Sequence, residues 1–223
     1  LTLRTQAEVD AFARSGINTV EGNLTIGGED EENPVTNLDG LKNLVSVRCD
    51  LTITAAYTGE TLAGLENLTA CESLRIGSAA HPNETLRQLS LPALKEIKGD
   101  LCVYGTALQT ADFKSLQSVA GHFVLQSDAL LQLTADELTT VAGNMTLIGT
   151  TADEAKAPCE QMYFPKLQRI DGTLTLSRFD RLSGLGTTFG VLTQAGALRY
   201  EHLALANTFE FPLIETTGNI TVT

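Results

Sequence analysis

The amino-acid sequence predicts a mainly β protein, a solenoid in which short parallel strands stack coil upon coil. A thirteen-residue pattern recurs along the 223 residues, most clearly as FPKLQRIDGTLTL (164–176) and LPALKEIKGDLCV (91–103). Each copy ends in alternating apolar and polar residues, as in GNLTI (22–26), which is typical of a short strand with one buried face. Because one such repeat cannot bury its own apolar side, the repetition favours stacking of the copies around a shared core.

The apolar residue that opens each strand marks the position of one coil. Nine markers can be assigned, 17 to 29 residues apart: Leu24, Leu51, Leu74, Leu101, Phe123, Met145, Leu174, Leu203 and Ile220. Stacked strands lie about 4.8 Å apart, so these coils predict a single parallel sheet roughly 40 Å long. Upstream of one strand, Leu41, Leu44 and Val47 recur at every third residue, which indicates a coil turn rather than an α-helix.

The segment TQAEVDAFARSG near the start of the chain predicts a short α-helix. Thr5 and Glu8 form a capping-box pattern, and Gly16 marks the end of the helix. Its predicted apolar stripe consists of Val9, Phe12 and Ala13. Solenoids need a cap over the exposed end of the core. We therefore expect an N-terminal capping segment over 1–16 and one continuous solenoid domain over 17–223.

The copies VTNLDGLKNLVSVRCDLTI (35–53) and FPKLQRIDGTLTL resemble the repeat of the receptor L domain. That domain is the right-handed, leucine-rich β-solenoid of insulin- and growth-factor-type receptor ectodomains. A nearer resemblance is to leucine-rich surface proteins of Bacteroidetes bacteria, and fungal GPI-anchored wall proteins carry similar coils. The resemblance covers about residues 17–222. It implies a right-handed leucine-rich solenoid in an extracellular or cell-surface protein, anchored to the outer membrane in full length, but it implies no particular function.

Composition narrows the classes of partner. The formal net charge is −12 and the pI is near 4.6. Nucleic acids and anionic membranes both require a basic face, so neither is expected as a partner. No apolar run has the length of a transmembrane helix. Leu1 is not a natural start, so we expect a leader and any membrane anchor to lie outside these residues.

The four cysteines leave two alternatives open. Cys49 and Cys71 fall on adjacent coils and could form one disulfide, whereas Cys102 points outward and Cys159 lies in an insertion. The alternative is four free thiols, the buried ones acting as small apolar residues. No CxxC pair occurs, so a zinc site is not expected.

The outward side chains of the predicted strands are the candidate binding residues. Short polar groups dominate them, but Arg75, Asp100, Tyr104 and His122 are expected within three adjacent coils. A charged, aromatic and titratable patch on a flat sheet suits the binding of a partner. The alternative is that these four are ordinary solvated residues.

Sequence patterns for chemistry or for metal binding are weak in this chain. Asp50 and Asp100 are separated by the coil that carries Ser73, so no stacked carboxylate pair of the kind used in glycoside hydrolysis is expected. The acidic run at 29–32 lacks the alternating oxygen ligands of a calcium loop and is expected to be a solvated loop. We predict no catalytic residue, cofactor site or metal site.

These observations favour a non-enzymatic binding or adhesion module at a cell surface, which recognises a protein or a glycan. Aromatic residues make up only 5% of the chain, which favours a protein over a sugar. The alternative is a passive structural spacer, and a β-helical polysaccharide-active enzyme is less favoured. The last strand, NITVT, leaves an open edge through which a homodimer could form.

Overall fold

A computed structural model describes residues 1–28, 32–150, 158–179, 181–182, 188–201, 214–216 and 218–222. The chain is mainly β, with 37% strand, and forms a parallel-strand β-solenoid of about eight turns with an α-helix at its N-terminus. This confirms the predicted fold class. The predictions for the acidic residues at 29–31 and for Leu203 fall outside the described residues.

A short first strand precedes the N-terminal helix, and a long series of strands follows it. The helix is α1 (Gln6–Ala13). In chain order the strands are β1 (Thr2–Leu3), β2 (Thr19–Val20), β3 (Leu24–Ile26), β4 (Ser46–Val47), β5 (Leu51–Ile53), β6 (Ala70–Cys71), β7 (Leu74–Ile76), β8 (Gln88–Ser90), β9 (Glu96–Ile97), β10 (Leu101–Tyr104), β11 (Thr110–Asp112), β12 (Ser118–Val119), β13 (Phe123–Gln126), β14 (Gln132–Thr134), β15 (Thr140–Val141), β16 (Met145–Ile148), β17 (Gln161–Tyr163), β18 (Arg169–Ser177), β19 (Gln194–Glu201), β20 (Glu215–Thr216) and β21 (Ile220–Val222).

The strands form two parallel sheets. The larger sheet has 17 strands, and its pairings run along two columns that merge in β18 and β19. One column contains β1, β3, β5, β7, β10, β13 and β16, and the other contains β2, β4, β6, β9, β12 and β15. The smaller sheet has 4 strands, β8, β11, β14 and β17. It is separate from the larger sheet and was not part of the predicted single sheet. Sequence reasoning missed it because QLS, TAD, QLT and QMY lie outside the recurring pattern.

The strand register confirms the markers up to Leu174 and corrects the next one. Leu174 pairs with Leu198, and Leu198 pairs with Ile220, so Leu198 takes the place predicted for Leu203. The segment GALRY (196–200) follows the pattern of GTLTL (172–176), but an alanine fills its polar position and hid the match. With Leu198 the last two steps become 24 and 22 residues, in line with the other coils.

A row of aromatic rings runs through the middle of the core. Phe113 and Phe123 meet edge to face with centroids 5.8 Å apart, and Phe123 meets Phe164 in the same way at 6.5 Å. Phe164 then stacks on Phe189 at 5.4 Å. All four side chains are fully buried. Such pairs add about 0.5–1.5 kcal/mol each beyond their burial, so the row joins neighbouring coils.

The N-terminal helix forms as the sequence predicts. Thr5 is the N-cap and forms the reciprocal capping box with Glu8. Val9 and Phe12 are buried, but Ala13 is exposed, so the predicted stripe was wrong at Ala13. The helix lies directly on the turn that contains Gly40, where an added Cβ would come within 2.0 Å of the Val9 carbonyl oxygen. Only glycine allows this close contact.

The structure contradicts the disulfide between Cys49 and Cys71, because all four cysteines are free. Cys71 points into the core, in register between Val47 and Ile97. Cys49 is half-buried, and its thiol donates to the Glu21 carbonyl oxygen on the preceding coil at 3.8 Å. The Cys71 thiol therefore lies in the core, whereas the Cys49 thiol contacts the backbone of the preceding coil.

We expect Cys71→Val to reduce the loss of stability in alkaline solution. Burial, followed by the charges of Asp50 and Glu72, raises the pKa of the Cys71 thiol from 9.0 to about 12. Above pH 9 the unfolded chain loses this proton while the folded chain keeps it, so stability falls as the pH rises towards 12. Valine occupies the equivalent position 47, so the substitution should cost less than about 1.5 kcal/mol at pH 7.

The measurement is urea unfolding at pH 7 and at pH 10.5. Between pH 7 and pH 10.5, the free energy of unfolding should fall by about 2 kcal/mol less in Cys71→Val than in the natural sequence. An alkaline loss of equal size in both proteins would show that ionisation of Cys71 does not contribute.

Candidate functional site

The candidate site lies on the outer face, which we define as the solvent side of the column from β3 to β16. One residue of each strand forms a row along this face, in register from coil to coil. The row consists of Thr25, Thr52, Arg75, Cys102, Val124 and Thr146. A second row, one residue before each strand, consists of Asn23, Asp50, Ser73, Asp100, His122 and Asn144.

The second row forms a polar ladder, in which a side chain accepts a hydrogen bond from the backbone N–H of the next coil. The donor and acceptor pairs are Asp50 N–H to Asn23 Oδ1 (3.2 Å), Asp100 N–H to Ser73 Oγ (3.3 Å), His122 N–H to Asp100 Oδ1 (2.9 Å), Asn144 N–H to His122 Nδ1 (2.9 Å) and Thr173 N–H to Asn144 Oδ1 (2.9 Å). The short polar residues at these positions thus satisfy backbone donors that the strands leave open. Part of the predicted outward polarity is therefore structural.

Arg75 links the two coils on either side of its own by an ionic cluster on this face. Its Nη1 lies 3.3 Å from Asp50 Oδ2, and its Nη2 lies 3.3 Å from Asp100 Oδ2. The side chains of Arg75, Asp50 and Asp100 are 39%, 36% and 32% exposed, so solvent screens the pairs and each adds at most about 1 kcal/mol. The sequence correctly separated the two aspartates by one coil, but it did not predict that Arg75 between them reaches both.

The four residues predicted for the patch all lie on three adjacent coils. Contacts connect Arg75, Asp100 and His122, because Arg75 holds one oxygen of Asp100 and the backbone of His122 donates to the other. Tyr104 lies further along the same face, at the end of β10, and pairs in register with Gln126. It is half-buried, and burial raises the pKa of its hydroxyl.

Cys102 is a member of the patch that sequence reasoning did not include. It is half-buried in register with Arg75. Burial and the charge of Asp100 raise the pKa of its thiol, and Arg75 opposes them. The thiol is therefore held protonated, which disfavours a nucleophilic role. Its outward position between charged residues was the signal available in the sequence.

A cleft opens at the carboxyl ends of β3, β5 and β7, with a volume of about 570 Å³. Its lining consists of Gly27, Gly28, Thr52, Thr54, Ala55, Ala56, Gly77, Ser78 and His81. The cleft adjoins the ionic cluster because Thr52 pairs in register with Arg75. Sequence reasoning did not predict this cleft. The run of small residues after three successive strands was the signal that could have indicated a cleft.

The part of the chain that the structure describes has neither a cluster of metal ligands nor an apolar helix long enough to cross a membrane. There, no three or more His, Cys, Asp and Glu side chains group closely enough to hold a metal ion. Of the acidic run at 29–32, only Glu32 is described, and it is exposed. None of the described helices has the length and apolarity needed to cross a membrane.

No family model, curated protein or solved structure matches this chain.

Proposed function

We propose that the chain is a non-enzymatic binding or adhesion module that recognises a partner protein through the outer face. One observation carries the proposal: the ionic cluster around Arg75 and the adjoining cleft lie next to each other on the same hydrogen-bonded sheet. Arginine beside a concave site is a frequent centre of binding energy in protein interfaces. The hydrogen bonds between paired strands hold these groups in place before binding, which lowers the entropic cost of association.

Several properties of the face favour a protein partner over a glycan or a chemical reaction. Tyr104 is half-buried, so little of its ring is free to stack on a sugar. The carboxylates of Asp50 and Asp100 are both paired with Arg75, so neither is set up as a general acid or base. The thiol of Cys102 is held protonated. Enzymatic action on polysaccharides is therefore the least favoured function.

The sequence resemblance supports a proposed cellular location. The repeat resembles that of leucine-rich receptor L domains and of Bacteroidetes surface proteins, so we propose an extracellular or cell-surface location. Association of two copies through β21 is a further part of this proposal. Ile220 and Val222 pair with the buried Leu198 and Tyr200 but are themselves 61% and 59% exposed.

A passive spacer is the second candidate, and the polar ladder favours it. His122 and Asp100 both accept hydrogen bonds from the next coil, so the fold itself accounts for their presence. A spacer needs only a rigid stack of coils, and it would bind nothing at the outer face.

The test is a binding screen of the purified protein against a panel of extracellular proteins and a glycan array. We expect a protein ligand whose affinity falls about tenfold or more in Arg75→Gln, because the substitution releases both aspartates and removes the central cation. Arg87→Gln is the matched control, since Arg87 forms a similar exposed pair with Glu60 at 3.4 Å, away from the outer face. His122 is unsuitable as a probe of binding alone, because it also belongs to the ladder.

The screen separates the candidates. Equal affinity in the Arg75 and Arg87 variants would place the binding site elsewhere on the solenoid. The absence of any ligand in both panels would favour the spacer.

A further inference from the structure

His122 is the member of the polar ladder whose acceptor is a ring nitrogen. At the other steps the acceptor is an oxygen of Asn, Ser or Asp. At this step the Asn144 N–H donates to His122 Nδ1 at 2.9 Å. An imidazole nitrogen accepts a hydrogen bond only while it carries no proton, so this bond requires the neutral ring with its proton on Nε2.

The ring is closely packed and reachable by solvent. His122 is exposed, so protons reach it directly. A Cβ on Gly143 would lie 2.7 Å from Nδ1, which shows how closely the ring approaches the backbone of the following coil. The ring therefore cannot take up a proton at Nδ1 without meeting the Asn144 N–H.

The charged and titratable groups around His122 come from one side. On the preceding coil, Asp100 accepts the His122 N–H with one carboxylate oxygen and pairs with Arg75 through the other. Cys102 and Tyr104 follow on the same strand, and the pKa of each is raised by burial. On the following coil, the stretch from Gly143 to Met145 contributes no titratable side chain.

We propose that His122 is a pH-dependent latch between two coils of the outer face. The neutral ring closes the latch by accepting the Asn144 N–H. Protonation turns Nδ1 into a donor that faces another donor, so this bond breaks and the ring turns away. The Asp100 carboxylate already contacts the His122 backbone, so the imidazolium competes with Arg75 for it.

Protonation thus changes the charge of the face as well as its hydrogen bonds. With a neutral ring, Asp50, Arg75, Asp100 and His122 sum to one negative charge, and with an imidazolium they sum to zero. The latch goes beyond the proposed function. Only its consequence for affinity, a partner that binds differently in acidic solution, rests on that function. The latch itself can be tested on the isolated protein.

The test is NMR spectroscopy of the ¹⁵N-labelled chain between pH 8 and pH 5. At pH 8 we expect the Nε2–H tautomer of His122 and a through-bond coupling between the Asn144 amide nitrogen and His122 Nδ1. On acidification the coupling should vanish. The protection factor of the Asn144 amide, corrected for intrinsic exchange, should fall about 2- to 10-fold, the range expected for one hydrogen bond. The Thr173 amide is the internal control, because its acceptor is the non-titrating Asn144 side chain.

The matched variant is His122→Asn. Asparagine supplies the oxygen acceptor found at Asn23 and Asn144, so the Asn144 amide should be protected equally at both pH values. Two outcomes would overturn the proposal: an Nδ1–H tautomer at pH 8, or protection of the Asn144 amide that stays constant with pH in the natural sequence. Neither outcome depends on whether a partner binds.

Discussion

Phe123→Ala is expected to lower the free energy of unfolding by about 3–5 kcal/mol. Phe123 is fully buried, in register between Leu101 and Met145, and its ring contacts those of Phe113 and Phe164. Alanine would leave a cavity in the middle of the aromatic row and remove both edge-to-face contacts. Urea unfolding followed by far-UV circular dichroism measures the change.

Two control substitutions make this result specific. Phe123→Leu should cost less than half as much as alanine, because leucine fills the equivalent position in the coils of Leu51, Leu74 and Leu101. Val124→Ala, on the adjacent outward residue, should cost less again. Equal losses for Phe123→Ala and Val124→Ala would contradict the view that the aromatic row joins the coils.

Asn83→Ala is expected to cost about 2–4 kcal/mol, although the residue lies in an inter-coil connection. The Asn83 side chain is fully buried, and its amide nitrogen donates to the Tyr57 carbonyl oxygen at 2.8 Å. Its Oδ1 accepts the backbone N–H of Leu86 at 2.8 Å and that of Thr85 at 3.1 Å. Alanine leaves these buried donors without their acceptor, which costs more than the loss of an exposed hydrogen bond.

Asn67→Ala provides the comparison for Asn83. The Asn67 amide also donates to a carbonyl, that of Lys42 at 2.8 Å, but the residue is exposed and water can replace it. Asn67→Ala should therefore lower the free energy of unfolding by less than about 1 kcal/mol. Asn83→Asp should not restore stability, because a carboxylate would face the Tyr57 carbonyl oxygen. Similar losses of stability in Asn67→Ala and Asn83→Ala would show that burial does not determine how much Asn83 contributes to stability.

The repeated pattern was sufficient to predict the coils but not the connections between them. Apolar residues at fixed positions identify strands, because an inward slot accepts little else. Eight of the nine markers lie in register, namely those from Leu24 to Leu174 and Ile220. Leu198 was missed because one alanine weakened the pattern. Asn83 was missed because a buried asparagine between coils has no periodicity, and one of its partners, the Tyr57 carbonyl, lies 26 residues away.

The candidate site was predictable in its residues but not in its contacts. Alternation placed Arg75, Asp100, Tyr104 and His122 on one face, and the structure puts them on three adjacent coils. The ionic cluster depends on the length of the Arg75 side chain and on a diagonal approach across coils, which strand alternation does not describe. The polar ladder depends on backbone N–H groups, which carry no sequence signal of their own.

The direction of the inter-coil hydrogen bonds has a mechanical consequence. The bonds between strands such as β10 and β13 run along the solenoid axis, whereas the covalent chain runs around it. Tension along the axis would therefore open bonds one after another instead of shearing many at once. Each coil of the central region contains 22 residues, from Leu101 to Phe123, and would release roughly 70 Å of chain as it peels away. Under tension the solenoid would therefore lengthen in steps, one coil at a time, and dissipate energy at each step.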